Sequence, residues 1–276
     1  MGASGKTGRA LTRALVARGF SVRAAVRSPD SAQTVYAAGA TELAVLDLAS
    51  GAGLGAALED VWAVYHLAPN VHPDEVGMAT RVTAAAAATG VQRLLFHSVL
   101  HPDDASLPHH LRKATAEEAV RSGGVPWTIL RPAAYHQNLV PAALAGEISV
   151  PYSLDAPFTN VDLGDVAAAA ATVLHEPGHE GGVYDLAGPE QLTVREMAAQ
   201  ATAVLGHPVE ARETSRQVWE AQVGAGLPDG ARGDLLAMFD AYDRAGLVGG
   251  SAWLWALLGH RPTTWEDALR ASPGMP

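Results

Sequence analysis

The sequence predicts an α/β protein in which a doubly wound parallel sheet is followed by a smaller, mainly helical C-terminal lobe. Over the first two thirds of the 276 residues, short apolar runs alternate with amphipathic or Ala-rich stretches. This alternation is typical of a parallel sheet that is covered by helices on both faces. Glycines follow several of the candidate helices, where a C-terminal cap is needed. The alternation becomes irregular after Arg131-Pro132, where we expect the second part of the fold to begin.

The alternation assigns each element to a segment of the chain. Candidate strands cover Val22–Val26, Leu43–Leu46, Ala63–Leu67, Arg93–Ser98, Trp127–Leu130 and Val183–Leu186. Candidate helices cover Thr7–Arg18, Ser31–Ala38, Gly53–Leu58, Glu75–Ala88, His110–Arg121, Val166–Leu174 and Thr193–Leu205. Thr193 and Glu196 have the spacing of a capping box. We expect a dinucleotide-binding domain over residues 1–205, with some segments after residue 132 contributing to the substrate lobe, and the lobe itself over residues 206–276.

The first strand of the predicted sheet is absent or truncated. Gly2 opens a glycine-rich loop, which should follow a buried strand, and Met1 alone precedes it. That strand is central in a doubly wound sheet, so its loss would expose two strand edges and much apolar surface. We expect the coding sequence to start further upstream; the alternative is that another segment fills the position.

Composition excludes several classes of function. The net charge is −10, so the basic surface that is typical of nucleic-acid-binding proteins is not expected. The chain has no cysteine, which excludes disulfides and thiolate catalysis, and no residue cluster indicates a metal site. No apolar run approaches the roughly 18 residues of a membrane span, and no signal peptide opens the chain. We expect a cytoplasmic protein that acts on a small molecule; the sequence does not indicate its oligomeric state.

The first residues form the clearest binding motif. A Gly-x-x-Gly-x-x-Gly loop leads directly into an amphipathic helix. Glycines allow backbone amides to approach a pyrophosphate, and a helix N-terminus adds partial positive charge. A glycine-rich turn without a ligand is the alternative, but loop, helix and strand follow one another at the distances of a Rossmann βαβ unit. The expected cofactor-binding residues here are Gly2, Ser4, Gly5, Lys6, Thr7 and Gly8.

A basic residue ends the second predicted strand, where an NAD-specific fold places an acid that accepts from the ribose 2′-hydroxyl. Arg27 takes that position, and no carboxylate follows until Asp30. A guanidinium pairs with a 2′-phosphate through two parallel hydrogen bonds, and Lys6 can assist it. A solvated surface arginine is the alternative. The expected cofactor is therefore NADP(H) rather than NAD(H).

Two further strand ends carry candidate cofactor contacts. Asp47-Leu48 closes the third strand, where a carboxylate can accept from the adenine amino group. Ala68-Pro69 follows the fourth strand, beside the expected nicotinamide ribose. Strand-end residues of these types are also ordinary turn formers, so a purely structural role is the alternative for each.

These motifs together resemble the NmrA-like group of atypical short-chain dehydrogenase/reductases. The matching segments are Gly2–Gly8, Val22–Arg27, Val45–Leu48, His66–Pro69, Leu94–Ser98, Trp127–Pro132 and Tyr184–Glu190. The most specific stretches are VPWTILRPAAYHQNL and GVYDLAGPEQLTVREMA. The resemblance covers the chain to about residue 210, and it implies a Rossmann domain, NADP(H) binding and a small substrate lobe. The group includes quinone and isoflavone reductases, and also regulators that bind the dinucleotide without known turnover.

The active-site segment departs from the ordinary dehydrogenase pattern. None of the six tyrosines precedes a lysine by four residues, so the usual Tyr-x-x-x-Lys pair is absent. In the resembling reductases a lysine on this helix contacts the nicotinamide ribose and serves as acid or base, a role that the resemblance implies for Lys113. Ser98, at the end of the fifth strand, and Tyr135 are the other candidate catalytic residues, and Asn138 is a further candidate cofactor contact. A packing role is the alternative for Tyr135.

Two histidines, His109 and His110, stand just before Lys113. They could relay a proton, but we favour the interpretation that they are exposed residues at a helix start. His97 and His101 flank Ser98, and no carboxylate lies at a metal-binding spacing from either pair.

Two functions are consistent with the sequence. The first is an NADPH-dependent oxidoreductase that transfers hydride to a small carbonyl, quinone or enone substrate. The second is a non-catalytic NADP(H)-binding redox sensor that acts through a protein partner. The missing tyrosine favours the sensor, and the tryptophan-rich tail, which can build a substrate pocket, favours the enzyme. A sugar-nucleotide epimerase is not expected, because that chemistry depends on the absent tyrosine.

Overall fold

A computed structural model describes residues 1–272 of the chain. The chain forms two compact units, which are described separately below. The first unit contains Met1–Asp103, His110–Arg131 and Val166–Tyr184. The second contains Asp104–His109, Pro132–Asp165 and the chain from Asp185 onward. The division at residue 205 stays a prediction. Within residues 1–272, none of the helices has the length and apolar character needed to cross a membrane.

The first half of the chain alternates helices and strands, as predicted. The helices are α1 (Lys6–Ala17), α2 (Ala32–Tyr36), α3 (Leu54–Leu58), α4 (Glu75–Ala88) and α5 (Pro108–Ser122). The strands are β1 (Arg23–Val26), β2 (Glu42–Val45), β3 (Ala63–His66), β4 (Arg93–His97) and β5 (Trp127–Pro132). Strands β3, β4 and β5 are buried over most of their residues, as parallel strands covered by helices should be.

The later elements are mostly helical. The helices are α6 (Val140–Leu144), α7 (Leu163–His175), α8 (Val194–Leu205), α9 (Arg216–Gln222), α10 (Asp229–Ala245), α11 (Ala252–Leu258) and α12 (Trp265–Arg270). The strands are β6 (Glu147–Val150), β7 (Val183–Leu186) and β8 (Glu210–Glu213). The predicted fold class, a parallel α/β sheet followed by a mainly helical lobe, is confirmed.

The sheet of the first unit is interrupted between β1 and β3. Strands β1 and β2 form a parallel pair, and β3, β4, β5 and β7 form a separate sheet in that order. Between β1 and β3 lies the start of the chain: the amino group of Met1 donates to the Tyr65 carbonyl at 2.6 Å. The amide of Ala3 donates to the Ala25 carbonyl at 3.2 Å. These first three residues therefore contact both sheet fragments without forming a strand.

The second unit packs around a buried tryptophan. Trp265 of α12 is fully buried, and its indole N–H donates to the Met197 carbonyl on α8 at 2.8 Å. The parallel pair β6–β8 contacts α8. Helix α8 begins with the predicted capping box, in which Thr193 and Glu196 satisfy each other's backbone amides.

Most predicted element ends are correct to within one or two residues, and two starts differ for clear reasons. Helix α7 begins three residues before the predicted Val166, because the Asp162 carboxylate accepts from the amides of Gly164 and Asp165 and so caps an earlier turn. Helix α5 begins at Pro108 rather than His110, because proline is well suited to the first helical position.

Candidate dinucleotide and active site

The glycine loop is packed so tightly that its shape depends on the absence of side chains. Gly2 has φ +67°, and the amide of Gly5 donates to its carbonyl at 3.2 Å. A Cβ atom at Gly8 would lie 2.3 Å from the Gly2 oxygen and 2.6 Å from the Ala3 Cα. Both neighbours are backbone atoms, so neither can move without a change in the conformation of the loop. Only glycine at position 8 allows the loop to fold back onto the start of α1.

The start of α1 has the properties of an anion-binding site. Gly5 is the N-cap residue, and no side chain caps the first amides of this 12-residue helix. The Ser4 carbonyl accepts from Arg9 Nη1 at 2.7 Å, which holds the loop against the helix. Lys6 is exposed at the first helical position and Thr7 is half-buried. N-terminal amides without a side-chain cap, beside a lysine, fit a pyrophosphate, so the residues present are suited to a dinucleotide.

Arg27 and Asp47 follow the two paired strands β1 and β2. Arg27 is exposed, and the nearest acid along the chain, Asp30, accepts from the Ser28 hydroxyl at 2.8 Å. The Asp47 carboxylate accepts from the Ser50 hydroxyl at 2.7 Å and from the Ala49 amide at 3.0 Å. The hydrogen bond from Ser50 lowers the pKa of Asp47 most, and the charge of Arg27 contributes to the same shift. Arg27 therefore places an exposed positive charge at the carboxyl end of β1.

Leu48 follows the carboxyl end of β2, and Ala68 and Pro69 follow that of β3. Leu48 and Ala68 are buried, whereas Pro69 is exposed. Val71, three residues after Ala68, has φ +53°, a conformation that a β-branched residue rarely adopts. Backbone strain of this kind is typical of loops at functional sites.

Lys113 lies in a buried ion pair. Its Nζ contacts the Glu75 carboxylate at the start of α4, and the Glu75 side chain has no exposed surface. The same Nζ donates to the His97 carbonyl at the end of β4 at 2.9 Å and lies 5.4 Å from the centroid of the Phe96 ring. Burial raises the pKa of the Glu75 carboxyl, and the Lys113 charge opposes that shift. The pair therefore holds the ammonium at the carboxyl end of β4.

Ser98 donates its hydroxyl proton to a second buried carboxylate. Its Oγ lies 2.5 Å from Glu117 Oε1. Arg131 donates two hydrogen bonds to the same carboxylate, at 2.9 Å from Nε and at 2.6 Å from Nη2. Arg121 adds a third, at 2.8 Å. Bidentate arginine–carboxylate geometry is rigid, so this network orients Ser98 and ties α5 to the ends of β4 and β5.

Four buried aromatic or imidazole side chains lie near the Lys113 pair. The Tyr65 hydroxyl is hydrogen-bonded to His97 Nδ1. His66 is fully buried against Phe96, at 5.5 Å between ring centroids, and in residues 1–272 neither of its nitrogens has a hydrogen-bond partner. Burial lowers the pKa of both His66 and His97 to about 3, and the Lys113 charge adds to each shift. Both imidazoles are therefore neutral at physiological pH.

These neutral histidines predict a loss of stability in mild acid. In the unfolded chain each histidine binds a proton below its ordinary pKa of about 6.5, whereas the folded state binds none until about pH 3. The free energy of unfolding should fall by about 1.4 kcal/mol per pH unit for each group as the pH drops through this window. Urea unfolding followed from neutral pH downward measures the slope, and His66→Leu should make it shallower. An identical slope in that variant would contradict the assignment.

The remaining candidate residues belong to the second unit. Tyr135 forms a backbone bridge with Val161 and precedes a 3₁₀ turn over His136–Asn138. Tyr135 is half-buried, and the Asn138 side chain is exposed. Their roles as catalytic and cofactor contacts stay predictions.

The expectation that His109 and His110 are exposed is wrong. Their exposed fractions are 8% and 2%. His110 Nδ1 lies 3.1 Å from the carbonyl of His101, which itself has φ +52°. His110 therefore packs against the loop after β4.

Sequence reasoning missed the two buried carboxylates. Glu117 lies one helical turn after Lys113, so its inward orientation follows from that of Lys113. Glu75 gave no comparable signal, because an acid in the first turn of a helix is normally a solvated, dipole-stabilising residue.

The chain is similar to known proteins along nearly its whole length. It is 31% identical over 275 residues to quinone oxidoreductase 2 of Escherichia coli K12, covering 97% of this chain and 96% of that protein. It is 37% identical over 219 residues to the (4-alkanoyl-5-oxo-2,5-dihydrofuran-3-yl)methyl phosphate reductase of Streptomyces griseus, covering 77% of this chain and 75% of that protein. The crystal structure of NADPH-dependent quinone oxidoreductase from E. coli, complexed with NADPH, matches with a TM-score of 0.82 and 30% identity over 98% of this chain and 97% of the other. The NmrA-like family matches residues 1–267, and this chain belongs to that family.

Proposed function

We propose that this protein is an oxidoreductase that uses NADPH to reduce a small quinone, enone or other carbonyl compound. One observation carries the cofactor assignment, which is the geometry of the glycine loop. Gly8 packs closely against Gly2, so the loop folds onto the start of α1, and no side chain caps the first amides of that helix. Arg27 supplies an exposed positive charge at the neighbouring strand end. The reductases to which the chain is at least 30% identical support the reaction class.

Each part of the first unit has a defined task in this proposal. The loop Gly2–Gly8 would hold the pyrophosphate, Arg27 would pair with the 2′-phosphate, and Lys113 would hold the nicotinamide ribose. When bound, NADPH supplies the hydride. Glu75 orients the Lys113 ammonium, whose Nζ carries three N–H donors. In residues 1–272 two of these are engaged, by Glu75 and the His97 carbonyl, so the third remains to donate to the ribose or to protonate the reduced substrate oxygen.

The reductase proposal is distinguished from a redox sensor by turnover. Purified protein should oxidise NADPH, followed by its absorbance, in the presence of at least one member of a panel of benzoquinones, naphthoquinones and enones. Tight binding of both redox forms without turnover of any panel member would contradict the proposal. A matched panel with NADH shows whether the reaction depends on the 2′-phosphate.

Arg27→Asp tests the 2′-phosphate site separately. A charge-assisted hydrogen bond is worth about 1.5–3 kcal/mol, so the variant should bind NADPH about 10- to 100-fold more weakly. NADH affinity should be unchanged or improved, because an acid at this position accepts from the ribose hydroxyls. Arg13→Asp, the same charge change at an exposed position on α1, is the matched control and should leave the NADPH affinity nearly unchanged. Equal NADPH affinities of the two variants, measured by fluorescence titration, would contradict the assignment.

A further inference from the structure

Helix α4 carries an arginine that bonds to two separate loops of the first unit. Arg81 Nε donates to the Leu48 carbonyl, in the loop after β2, at 3.1 Å. Its Nη2 donates to the carboxylate of Asp74, in the segment between β3 and α4, at 2.5 Å. Strands β2 and β3 belong to separate sheets, so strand pairing does not fix the distance between the loops that follow them. Arg81 therefore links the segments at the carboxyl ends of these two strands.

The loop after β2 is closed on itself by its own backbone. The Asp47 amide donates to the Ala52 carbonyl at 2.9 Å, and the Gly51 amide donates to the Asp47 carbonyl at 2.8 Å. The Asp47 side chain adds the hydrogen bonds within this loop that are described above. Because the loop is tied together in this way, the bond from Arg81 to the Leu48 carbonyl sets the position of the loop as a whole.

The Asp74 carboxylate is used by Arg81 rather than by its own helix. Asp74 is the N-cap residue of α4, where an aspartate side chain normally accepts from the first amides of the helix. Within residues 1–272 its side chain makes no such cap bond. Gly77 provides the space for the pair, since a Cβ there would lie 2.1 Å from Asp74 Oδ1 and 3.0 Å from Arg81 Nη1. Glycine is a poor helix former, and this close contact explains its place in the first turn of α4.

The pair lies near the surface, so stability does not explain it. The side chains of Arg81 and Asp74 keep 32% and 48% of their surface exposed, and exposed ion pairs contribute little to folding. The two segments that the pair joins are better evidence of its role. Both lie at the carboxyl ends of parallel strands, which is where ligands bind in open α/β sheets.

The loop that Arg81 holds is next to the proposed 2′-phosphate site. Strands β1 and β2 pair in parallel with Val26 opposite Val45, so Arg27 and Asp47 follow neighbouring strand ends. In NADPH the 2′-phosphate and the adenine are attached to the same ribose. A cofactor whose 2′-phosphate pairs with Arg27 therefore brings its adenine half to the loop after β2.

We propose that Arg81 is a positioning residue for the adenine half of the dinucleotide. It holds the loop after β2 at a fixed distance from the start of α4, so that this side of the cofactor site is already formed before the ligand binds. This role rests on the proposed NADPH-dependent function. Arg81 acts through the Leu48 carbonyl and Asp74, and its removal should affect binding of the adenine half.

The test measures the affinity of the full chain for 2′,5′-ADP, which contains the adenine, the ribose and the 2′-phosphate of NADPH but no nicotinamide. Arg81→Met should weaken binding about 5- to 30-fold, because a loop residue that must be reordered on binding costs a factor of this size. Arg23→Met is the matched control. Arg23 pairs with Glu42 at 2.6 Å and donates to the Glu59 carbonyl at 2.7 Å, so the same charge and the same kinds of bond are lost. This control should bind 2′,5′-ADP nearly as tightly as wild type.

Asp74→Ala separates the bridge from a simple loss of positive charge. Removing a carboxylate makes the protein less negative, so electrostatic attraction alone would strengthen the binding of an anionic ligand. If Arg81 acts by position, Asp74→Ala should weaken binding of 2′,5′-ADP instead, in the same direction as Arg81→Met. The two explanations therefore predict changes of opposite sign.

Thermal unfolding of the same variants distinguishes positioning from a role in folding. Each variant should keep its Tm within about 4 °C of wild type. Equal affinities of Arg81→Met and Arg23→Met, tighter binding by Asp74→Ala, or a lower Tm of Arg81→Met without a change in affinity would each overturn the role of Arg81 and leave the cofactor assignment in place. If the wild-type protein did not bind 2′,5′-ADP, the cofactor assignment and the role of Arg81 would both be overturned.

Discussion

Replacing Lys113 together with its counterion is expected to lower NADPH-dependent turnover by about 10²- to 10⁴-fold, the contribution of a positioned proton donor. The double variant Lys113→Met/Glu75→Gln removes the ammonium without leaving a charge behind. Met fills much of the volume of the lysine stem, and Gln keeps the shape of the carboxylate. Because the loop Gly2–Gly8 and Arg27 are untouched, much of the NADPH affinity should remain.

The single variants separate the chemical role of Lys113 from its structural role. Lys113→Met alone leaves the fully buried Glu75 without its partner, and breaking a buried pair costs about 3–5 kcal/mol of stability. The double variant should recover most of that loss in urea unfolding while remaining inactive. Turnover of the double variant within threefold of wild type, recovered together with its stability, would contradict the proposed role and would assign Lys113 to the fold alone.

Glu75→Gln by itself tests Glu75 as a positioning residue. It keeps a hydrogen-bond acceptor for Nζ but removes the charge that holds the ammonium against the end of β4. We expect kcat to fall with little change in the KM for NADPH, because the pyrophosphate and 2′-phosphate contacts lie elsewhere. A purely structural role would lower stability without changing kcat of the folded enzyme.

Gly8→Ala has the second largest expected effect, which is on cofactor binding. The added Cβ would lie 2.3 Å from the Gly2 oxygen and 2.6 Å from the Ala3 Cα, so the loop must move away from α1. Loss of two amide–phosphate hydrogen bonds, each worth about 1.5–3 kcal/mol, should weaken NADPH binding at least about 100-fold. Fluorescence titration of the folded variant measures this directly.

Gly55→Ala is the matched control for that prediction. Gly55 also lies in a helix of the first unit, but an added Cβ there has no neighbour within 4 Å. Alanine is a better helix former than glycine by about 1 kcal/mol, so this variant should keep its NADPH affinity and be as stable as wild type or more so. If Gly8→Ala bound NADPH as tightly as Gly55→Ala, the loop would not be the pyrophosphate site.

Much of the first unit could be predicted from the sequence because its information is local. Strand β3 and helix α4 were predicted nearly to the residue, since apolar runs bounded by polar or glycine residues specify elements without reference to distant neighbours. The capping box at Thr193 and Glu196 is equally local. The glycine loop is also local, since its spacing together with the helix and strand that follow indicates a close backbone approach, and a Cβ added at Gly8 would lie only 2.3 Å from the Gly2 oxygen.

Contacts between distant segments could not be predicted in this way. Glu75 and Lys113 are 38 residues apart and meet because α4 and α5 follow adjacent strands. Ser98 was predicted as a candidate catalytic residue, but the sequence did not indicate that its hydroxyl donates to Glu117, which also accepts from Arg131. Likewise, His109 and His110 are polar residues at a helix start, and only the packing of the chain around them shows that they are buried.

The sequence by itself determined the alternating α/β elements, the glycine loop and the basic strand end at Arg27. Only the tertiary structure decided which charges are buried together. The reason is physical: periodicity and turn chemistry act over a few residues, whereas the burial of Glu75, His66 and the Met1 amine depends on side chains that the fold brings together from segments tens of residues apart.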